Sequence, residues 1–121
     1  MKYEDLYKAF KQELPEGLQF FELKEKENMI DETDGIHVIF GMIIVPYILY
    51  IVQYIKISEI DRSFAFLEKM AMCEEIKVKE VLDFTVLEQL VDVGNIIFKK
   101  CKQYMGIETL KHCEAVEEYF L

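Results

Sequence analysis

The side chains best suited to catalysis or metal binding in this chain belong to two histidines and three cysteines. His112 and Cys113 are adjacent, Cys101 lies about one helix upstream, and His37 stands at the edge of an apolar run. Neighbouring residues on a helix point about 100° apart, so His112 and Cys113 cannot converge on one metal ion or act as a nucleophile and its base. Because metal sites need clustered His, Cys or carboxylate ligands, we expect no metal and no other cofactor.

Other catalytic patterns are incomplete. The glycines never form a loop that could cradle a phosphate. A di-iron bundle would need Glu-x-x-His motifs on two helices. His112 has Glu108 and Thr109 at the preceding helical positions, and the second motif is missing. The sequence therefore favours a protein that is not an enzyme.

Acidic residues dominate the charge of the chain, with 23 Asp and Glu against 14 Lys and Arg and a net charge of −9. Such a protein should avoid nucleic acid, whose binding depends on Lys and Arg at the phosphates, and should attract basic partners. The cysteines, at unremarkable spacings, indicate reduced thiols packed as small apolar groups. Met1 leads into the amphipathic YEDLYKAF with no signal-peptide pattern. These features predict a cytoplasmic protein.

The segment that follows the first helix is the most charged part of the sequence and the first candidate for a binding site. One interpretation is a solvated helix face or loop. The other is a landing surface for a basic protein, on which carboxylates provide steering and specificity. Phe20, Phe21 and Met29 would supply apolar anchors if they are exposed beside it. The expected contact residues are Glu22, Glu25, Glu27, Asp31, Glu32 and Asp34.

Two further charged features are weaker candidates. Glu74 and Glu75 form a short acidic break and are the second choice for partner binding. Together with Asp92 they flank a helix whose carboxylates most simply form a solvated face, namely Glu80, Asp83 and Glu88. The basic run at residues 99–102 is the polar side of another helix and is too short to bind nucleic acid.

Helical periodicity predicts the elements that must position these residues. Apolar residues recur at helical spacing over residues 3–14, 60–71, 78–91, 97–105 and 109–120. Residues 18–23 could be helix or extended chain. The sequence therefore predicts an all-α protein, one domain over residues 1–121, built as a compact bundle of five to six antiparallel helices around a very apolar central helix.

Several residues predict where helices begin, end or face. Ser58 with Asp61 three residues later indicates a capping box. Gly106 fits the position just after a helix C-terminus, and Thr109 would then begin the last helix. Phe120 is expected to face inward from that helix.

The central helix is predicted from residues 36–55, IHVIFGMIIVPYILYIVQYI, which contain no Asp, Glu, Lys or Arg. A helix that is apolar all round is either membranous or the centre of a soluble core. The strictly apolar part, 38–52, is shorter than the usual spanning threshold of about 18 residues. We therefore expect a buried core helix in which Pro46 marks a kink or a new start. One helical stripe is expected to line the core with its hydroxyls at the edge: Tyr47, Tyr50 and Tyr54.

Residues 35–91 also resemble a known type of protein. An apolar segment of the kind GIHVIFGMIIVPYIL precedes a helical pair contained in SFAFLEKMAMCEEIKVKEVLDFTVLEQL. The first helix of the pair ends like FLEKMA, and after an acidic break the second ends like VLEQL. This arrangement resembles small bacterial all-helical proteins of the immunity type, encoded beside secreted toxins in contact-dependent growth inhibition and polymorphic toxin systems. The resemblance brings no diagnostic site residue with it.

The resemblance implies an immunity protein that binds and neutralises a cognate toxin. A basic nuclease is the expected partner, because a small acidic protein can cover its active site with carboxylates that stand in for phosphates. Two alternatives stay open. One is a helical interaction or adaptor module without a toxin partner, and the other is a small membrane protein in which residues 36–55 span the bilayer.

Overall fold

The computed structural model describes residues 1–120, which form an all-helical protein with 82% of the chain in helix. Within this part of the chain, seven helices follow one another. They are α1 (Leu6–Glu13, entered through a 3-10 turn at Tyr3–Asp5), α2 (Leu18–Asn28, after a 3-10 turn at Pro15–Gly17), α3 (Ile36–Gln53), α4 (Ile57–Met72), α5 (residues 76–92), α6 (Asn95–Tyr104) and α7 (Ile107–Tyr119). The sequence predicted five to six. The segment left open between helix and extended chain is helical and forms the start of α2.

The hydrophobic core is centred on α3. Five of its isoleucines have no solvent-accessible surface: Ile39, Ile43, Ile44, Ile48 and Ile51. Helices α1, α2, α4, α5 and α6 all pack against it. Complete burial of one such side chain contributes about 1.5–3 kcal/mol relative to leaving it exposed. The very apolar composition of this helix is thus explained by neighbours on most of its sides.

An aromatic cluster ties the N-terminal helices to this core. Phe10 of α1 packs edge-to-face against four other rings, at centroid distances of 5.1–6.3 Å. The four belong to α2, α3 and α4 and are Phe21, Phe40, Tyr47 and Phe66. Such edge-to-face pairs contribute about 0.5–1.5 kcal/mol each beyond their buried area. Phe10 therefore fixes α1 and α2 on the rest of the bundle.

A π-helical turn at Phe40–Ile44 interrupts α3 just before Pro46. Proline has no N–H to donate to the carbonyl of Met42, and its ring crowds that carbonyl. The helix widens over the preceding turn and continues as regular α-helix through Val45–Gln53. Pro46 therefore neither ends the helix nor starts a separate one.

A second π turn, Leu82–Leu87, lies in α5 between two α-helical segments, Ile76–Val81 and Glu88–Asp92. A wider turn shifts the register of everything that follows it. Leu87 and Leu90 are consequently buried, whereas Gln89 is exposed although it fits the apolar period of the sequence.

Within residues 1–120, one helix passes the test of length and composition for crossing a bilayer. It is Ile36–Gln53, with a mean hydropathy of 2.0, and 56% of this stretch is buried inside the protein. In this structure the other helices cover part of its apolar surface, whereas Val38, Met42 and Tyr50 are exposed.

Three predictions about helix ends are wrong. α4 begins at Ile57, so Ser58 lies inside the first turn and caps nothing; its hydroxyl accepts a hydrogen bond from Arg62 Nη2 at 3.2 Å. Gly106 does lie just after the end of α6, two residues past Tyr104, but its backbone is extended (φ −70°, ψ 172°) and it also directly precedes α7, which begins at Ile107 and not at Thr109. Phe120 is exposed, because it lies beyond the last turn that packs on the bundle.

Candidate partner-binding site

The first three predicted contact residues lie on α2 but face different surroundings. Glu22 and Glu27 are exposed, and Glu27 forms a surface ion pair with Lys24 at 3.2 Å. Glu25 turns toward α1, where its Oε2 accepts a hydrogen bond from the Tyr7 hydroxyl at 2.7 Å. Burial, and next the hydrogen bond to Glu25, raise the pKa of Tyr7 well above its ordinary value. Glu25 therefore holds α2 on α1, and Glu22 and Glu27 are the α2 carboxylates displayed to solvent.

The other three predicted contact residues belong to the turn between α2 and α3. Asp31 accepts hydrogen bonds from the hydroxyl and the backbone N–H of Thr33, and these two bonds, the hydroxyl first, lower the pKa of Asp31. The N–H of Asp31 in turn donates to Asp34 Oδ2 at 2.9 Å. Glu32 lies 3.8 Å from the ammonium of Lys11 on α1. The turn is thus held by its own side chains, and its carboxylates are presented in fixed positions.

Met29 connects the two groups of carboxylates and has an unusual conformation. It ends α2 in the left-handed region (φ 55°, ψ 42°), a position usually taken by glycine. A side chain there costs about 1–2 kcal/mol. The Met29 side chain is nevertheless 91% exposed, so it gains nothing from burial within this chain. We call the surface formed by Glu22, Glu27, Met29, Asp31, Glu32 and Asp34 the acidic surface.

The other two predicted apolar anchors are not available at the acidic surface. Phe21 is only 1% exposed and belongs to the core, because it is the α2 residue that faces Phe10 and Tyr47. Phe20 is half-buried. Sequence reasoning missed Leu23, which is 53% exposed and lies one helical turn before Glu27.

The predicted tyrosine stripe divides between core and surface. Tyr47 is buried and its hydroxyl donates to Glu59 Oε2 at 2.6 Å, as expected of a core tyrosine with its hydroxyl at the edge. Tyr50 and Tyr54 are exposed, so the prediction is wrong for them. The Tyr50 ring stacks on Phe20 at 5.3 Å and contacts Tyr54 at 5.1 Å. Tyr50 and Tyr54 therefore lie outside the core, and Phe20 connects them to it through the buried Tyr47 ring at 5.4 Å.

The second-choice residues, Glu74 and Glu75, lie in the connection between α4 and α5. Glu74 is exposed, and Glu75 Oε2 accepts a hydrogen bond from the backbone N–H of Tyr3 at 3.3 Å. The N-terminal helix links this connection to the acidic surface, because Lys11 contacts Glu32. Tyr3 and Lys11 are separated by about 12 Å of helical rise. The two acidic segments therefore lie along the same helix.

The histidines are each held by one partner and the two innermost cysteines are buried. His37 Nδ1 lies 2.6 Å from Thr85 Oγ1, and His112 Nδ1 lies 2.7 Å from Asp83 Oδ1. Burial raises the pKa of the Cys101 thiol to about 11 and that of Cys113 to about 12, so both are protonated at neutral pH. Among residues 1–120 no group of three or more His, Cys, Asp or Glu side chains is placed to hold a metal ion.

A groove between α5 and α7 was not anticipated from the sequence. Its volume is about 420 Å³, and Phe84 of the π turn, Tyr119 and Phe120 form its apolar walls. Glu88 and the Asp83–His112 pair lie among them. We call this feature the α5–α7 groove. The π turn that positions Phe84 has no recognisable sequence signal, and Phe120 had been predicted to face inward.

Comparisons with known proteins identify a family and no characterised relative. No curated protein and no solved structure matches the chain. A family model described as "Domain of unknown function (DUF7674)" matches residues 7–120, which include α2 to α7 and all of α1 except its first residue. The chain therefore belongs to the DUF7674 family.

Proposed function

We propose that the protein is an immunity protein that binds a basic toxin domain through the acidic surface and covers its active site. The observation that supports this most is Met29. A left-handed, 91% exposed methionine between two sets of carboxylates is costly to the free protein. A partner that buries its side chain would recover that cost, since flexible methionines pack well at binding surfaces.

The charges around Met29 support a basic partner. Glu22, Glu27 and Glu32 are exposed, and the turn holds Asp31 and Asp34 in fixed positions. Carboxylates presented in this way accelerate encounter with a basic protein and penalise acidic ones. A nuclease surface that binds phosphates is such a partner. The proposal requires no catalysis by this chain and places it in the cytoplasm, where the toxin would act.

A helical interaction module without a toxin partner is the second candidate. The exposed rings of Tyr50 and Tyr54, stacked beside Phe20, favour it because aromatic side chains are common anchors at protein interfaces. The membrane alternative rests on the composition of Ile36–Gln53 alone.

Co-purification from the native cells through a C-terminal tag tests the proposal. We expect a basic toxin domain to be retained and then released by high salt. Expression of that domain should stop growth of a host cell, and co-expression of this protein should restore it. Recovery of the protein in the membrane pellet after a salt wash, without a toxin, would favour the membrane alternative. A retained partner that is not toxic would favour the interaction module.

Charge reversal then tests the surface. Glu22→Lys with Glu27→Lys should weaken toxin binding at least about tenfold. The matched control is Glu114→Lys with Glu118→Lys, which changes the net charge equally at exposed positions of α7. The proposal requires that the control variant bind the toxin more tightly than the Glu22→Lys, Glu27→Lys variant. Equal weakening by both would mean that only the overall charge matters, and the acidic surface would be rejected. Glu25 and Asp31 are avoided because their hydrogen bonds hold the local structure.

A further inference from the structure

The α5–α7 groove continues past its first set of walls. A second depression of about 420 Å³ is lined by Glu88, Gln89, Val91, Asp92 and Phe120. It shares Glu88 and Phe120 with the first, so the two form one elongated feature. Along α5 the groove extends from Asp83 to Asp92, a helical rise of about 13 Å.

The walls of the groove are unusually apolar for a surface. The side chains of Phe84, Tyr119 and Phe120 are 58%, 82% and 55% exposed, respectively. Monomeric proteins rarely expose three large aromatic residues around one depression. Exposed apolar patches of this kind mark interaction sites. The residues that separate them, Ala115 and Val116, are small or aliphatic.

The charges of the groove have one sign. Asp83, Glu88 and Asp92 follow its length at intervals of five and four residues, and no lysine or arginine is among its lining residues within the described chain. His112 is the one basic side chain among those residues, and it is paired with Asp83. The nearby ammonium of Lys102 is paired with Glu117, and that of Lys111 with Glu108. Within residues 1–120, Glu88 and Asp92 form no ion pair.

We propose that the α5–α7 groove binds a basic amphipathic helix of another protein. Its apolar side chains pack between Phe84, Tyr119 and Phe120, and its lysines or arginines meet Glu88 and Asp92. A groove about 13 Å long matches roughly two turns of a helix, and helices bind such grooves through anchors spaced three to four residues apart. The length of the groove and its row of carboxylates favour a helix over a compact small molecule. This site shares no residue with the acidic surface and does not depend on the proposed function.

The probe is a synthetic amphipathic helix of leucine and lysine, labelled for fluorescence anisotropy and titrated with the untagged protein. The comparison peptide carries glutamate in place of every lysine. We expect the lysine peptide to bind and the glutamate peptide to show no binding. Glu88→Gln with Asp92→Asn should weaken binding about tenfold, and Phe84→Ser should weaken it similarly through the apolar wall. All three residues line the groove at the surface, so folding is expected to persist and is checked by circular dichroism.

Two control pairs separate the groove from the overall charge and from the acidic surface. They are Glu114→Gln with Glu118→Gln, and Glu22→Gln with Glu27→Gln; each removes two charges at exposed positions, and each should change affinity less than about twofold. Equal weakening by the controls would overturn the proposal, as would absence of binding or equal binding of the glutamate peptide. Self-association of the chain that Phe84→Ser abolishes would assign the groove to a second copy and would also overturn it.

Discussion

The carboxylate of Glu68 on α4 accepts hydrogen bonds from Thr109 in the first turn of α7 and so caps that helix. Glu68 Oε1 accepts hydrogen bonds from both the N–H and the hydroxyl of Thr109, each at 2.8 Å. Its Oε2 accepts another from the N–H of Glu108 at 2.9 Å. The first N–H groups of a helix have no partner within the helix, and a negative charge is favoured beside them. A residue 41 positions earlier thus acts as a cap and joins α4 to α7.

Glu68→Gln should lower the free energy of unfolding by about 1 kcal/mol at neutral pH, because the amide keeps the shape but loses the charge. Burial alone would raise the pKa of Glu68, but the hydrogen bonds from Thr109 and Glu108 outweigh it and lower the pKa. A lowered folded-state pKa adds stability above the ordinary pKa of the carboxylate, and this stability is lost as the pH falls through the lowered value. Thermal unfolding measured from neutral pH down to about pH 3 should therefore show a decreasing difference in stability between wild type and Glu68→Gln. A difference in stability that does not change with pH would contradict this role of the Glu68 charge.

Gly106→Ala should destabilise the protein by about 1 kcal/mol through the same contact. A Cβ at Gly106 would lie 2.5 Å from Glu68 Oε1 and 2.6 Å from its Cδ, so the carboxylate would have to leave the helix end. The matched control is Gly35→Ala, where a Cβ meets nothing within 4 Å, and it should be neutral in urea unfolding. The cost of Gly106→Ala should disappear in a Glu68→Ala background. If it persists there, Glu68 is not the cause.

Gly106 shows what the sequence can and cannot reveal. The helical class, the first helix ending near residue 14 and the break at Glu74 and Glu75 follow from local residues and were predicted. Local residues correctly placed Gly106 after the end of α6, but its contact with Glu68, which is distant in sequence, could not be predicted from them. The π turn of α5 is also set by packing, and it moves Leu87 inward and Phe84 outward.

The candidate site was only partly predictable for a similar reason. The sequence identified the acidic segment, but it could not separate carboxylates that face solvent from those used internally. Glu25 is taken by Tyr7 on another helix, and Glu75 by the backbone of Tyr3. Period alone also could not decide which of the adjacent Phe20 and Phe21 enters the core. These distinctions arise from tertiary contacts.

Met29→Gly should raise the free energy of unfolding by about 1 kcal/mol, because glycine adopts the left-handed conformation without strain. Under the proposed function the same change should weaken toxin binding, since it removes the exposed anchor. Ile55→Gly is the matched control: Ile55 also has a positive φ (53°) and is 67% exposed, but it lies in the connection between α3 and α4. It should gain stability and keep full binding. A Met29→Gly protein that binds like wild type would remove Met29 from the interface.

Tyr7 and Tyr47 should make the protein sensitive to alkali. Each is buried and donates to a carboxylate, Glu25 or Glu59, and burial followed by these bonds raises the pKa of each phenol. The resulting stability is fully present below the ordinary tyrosine pKa of about 10 and is lost as the pH rises above it. Absorbance at 295 nm should therefore show two phenols that ionise only as the protein unfolds. In a Tyr7→Phe, Tyr47→Phe variant this late step should be absent; its persistence would point to other tyrosines.

Ser63→Ala should stabilise the protein by about 1 kcal/mol. Ser63 lies on the buried face of α4 with no exposed surface, and its Oγ has no hydrogen-bond partner among the described residues. A buried hydroxyl without a partner costs free energy, and alanine also has the higher helix propensity. Thr109→Val is the matched control, because that hydroxyl is equally buried but bonded to Glu68, so its removal should lower stability. Urea unfolding should show a higher free energy of unfolding for Ser63→Ala and a lower one for Thr109→Val. A loss of stability in Ser63→Ala would show instead that the hydroxyl is satisfied in solution, as by a buried water.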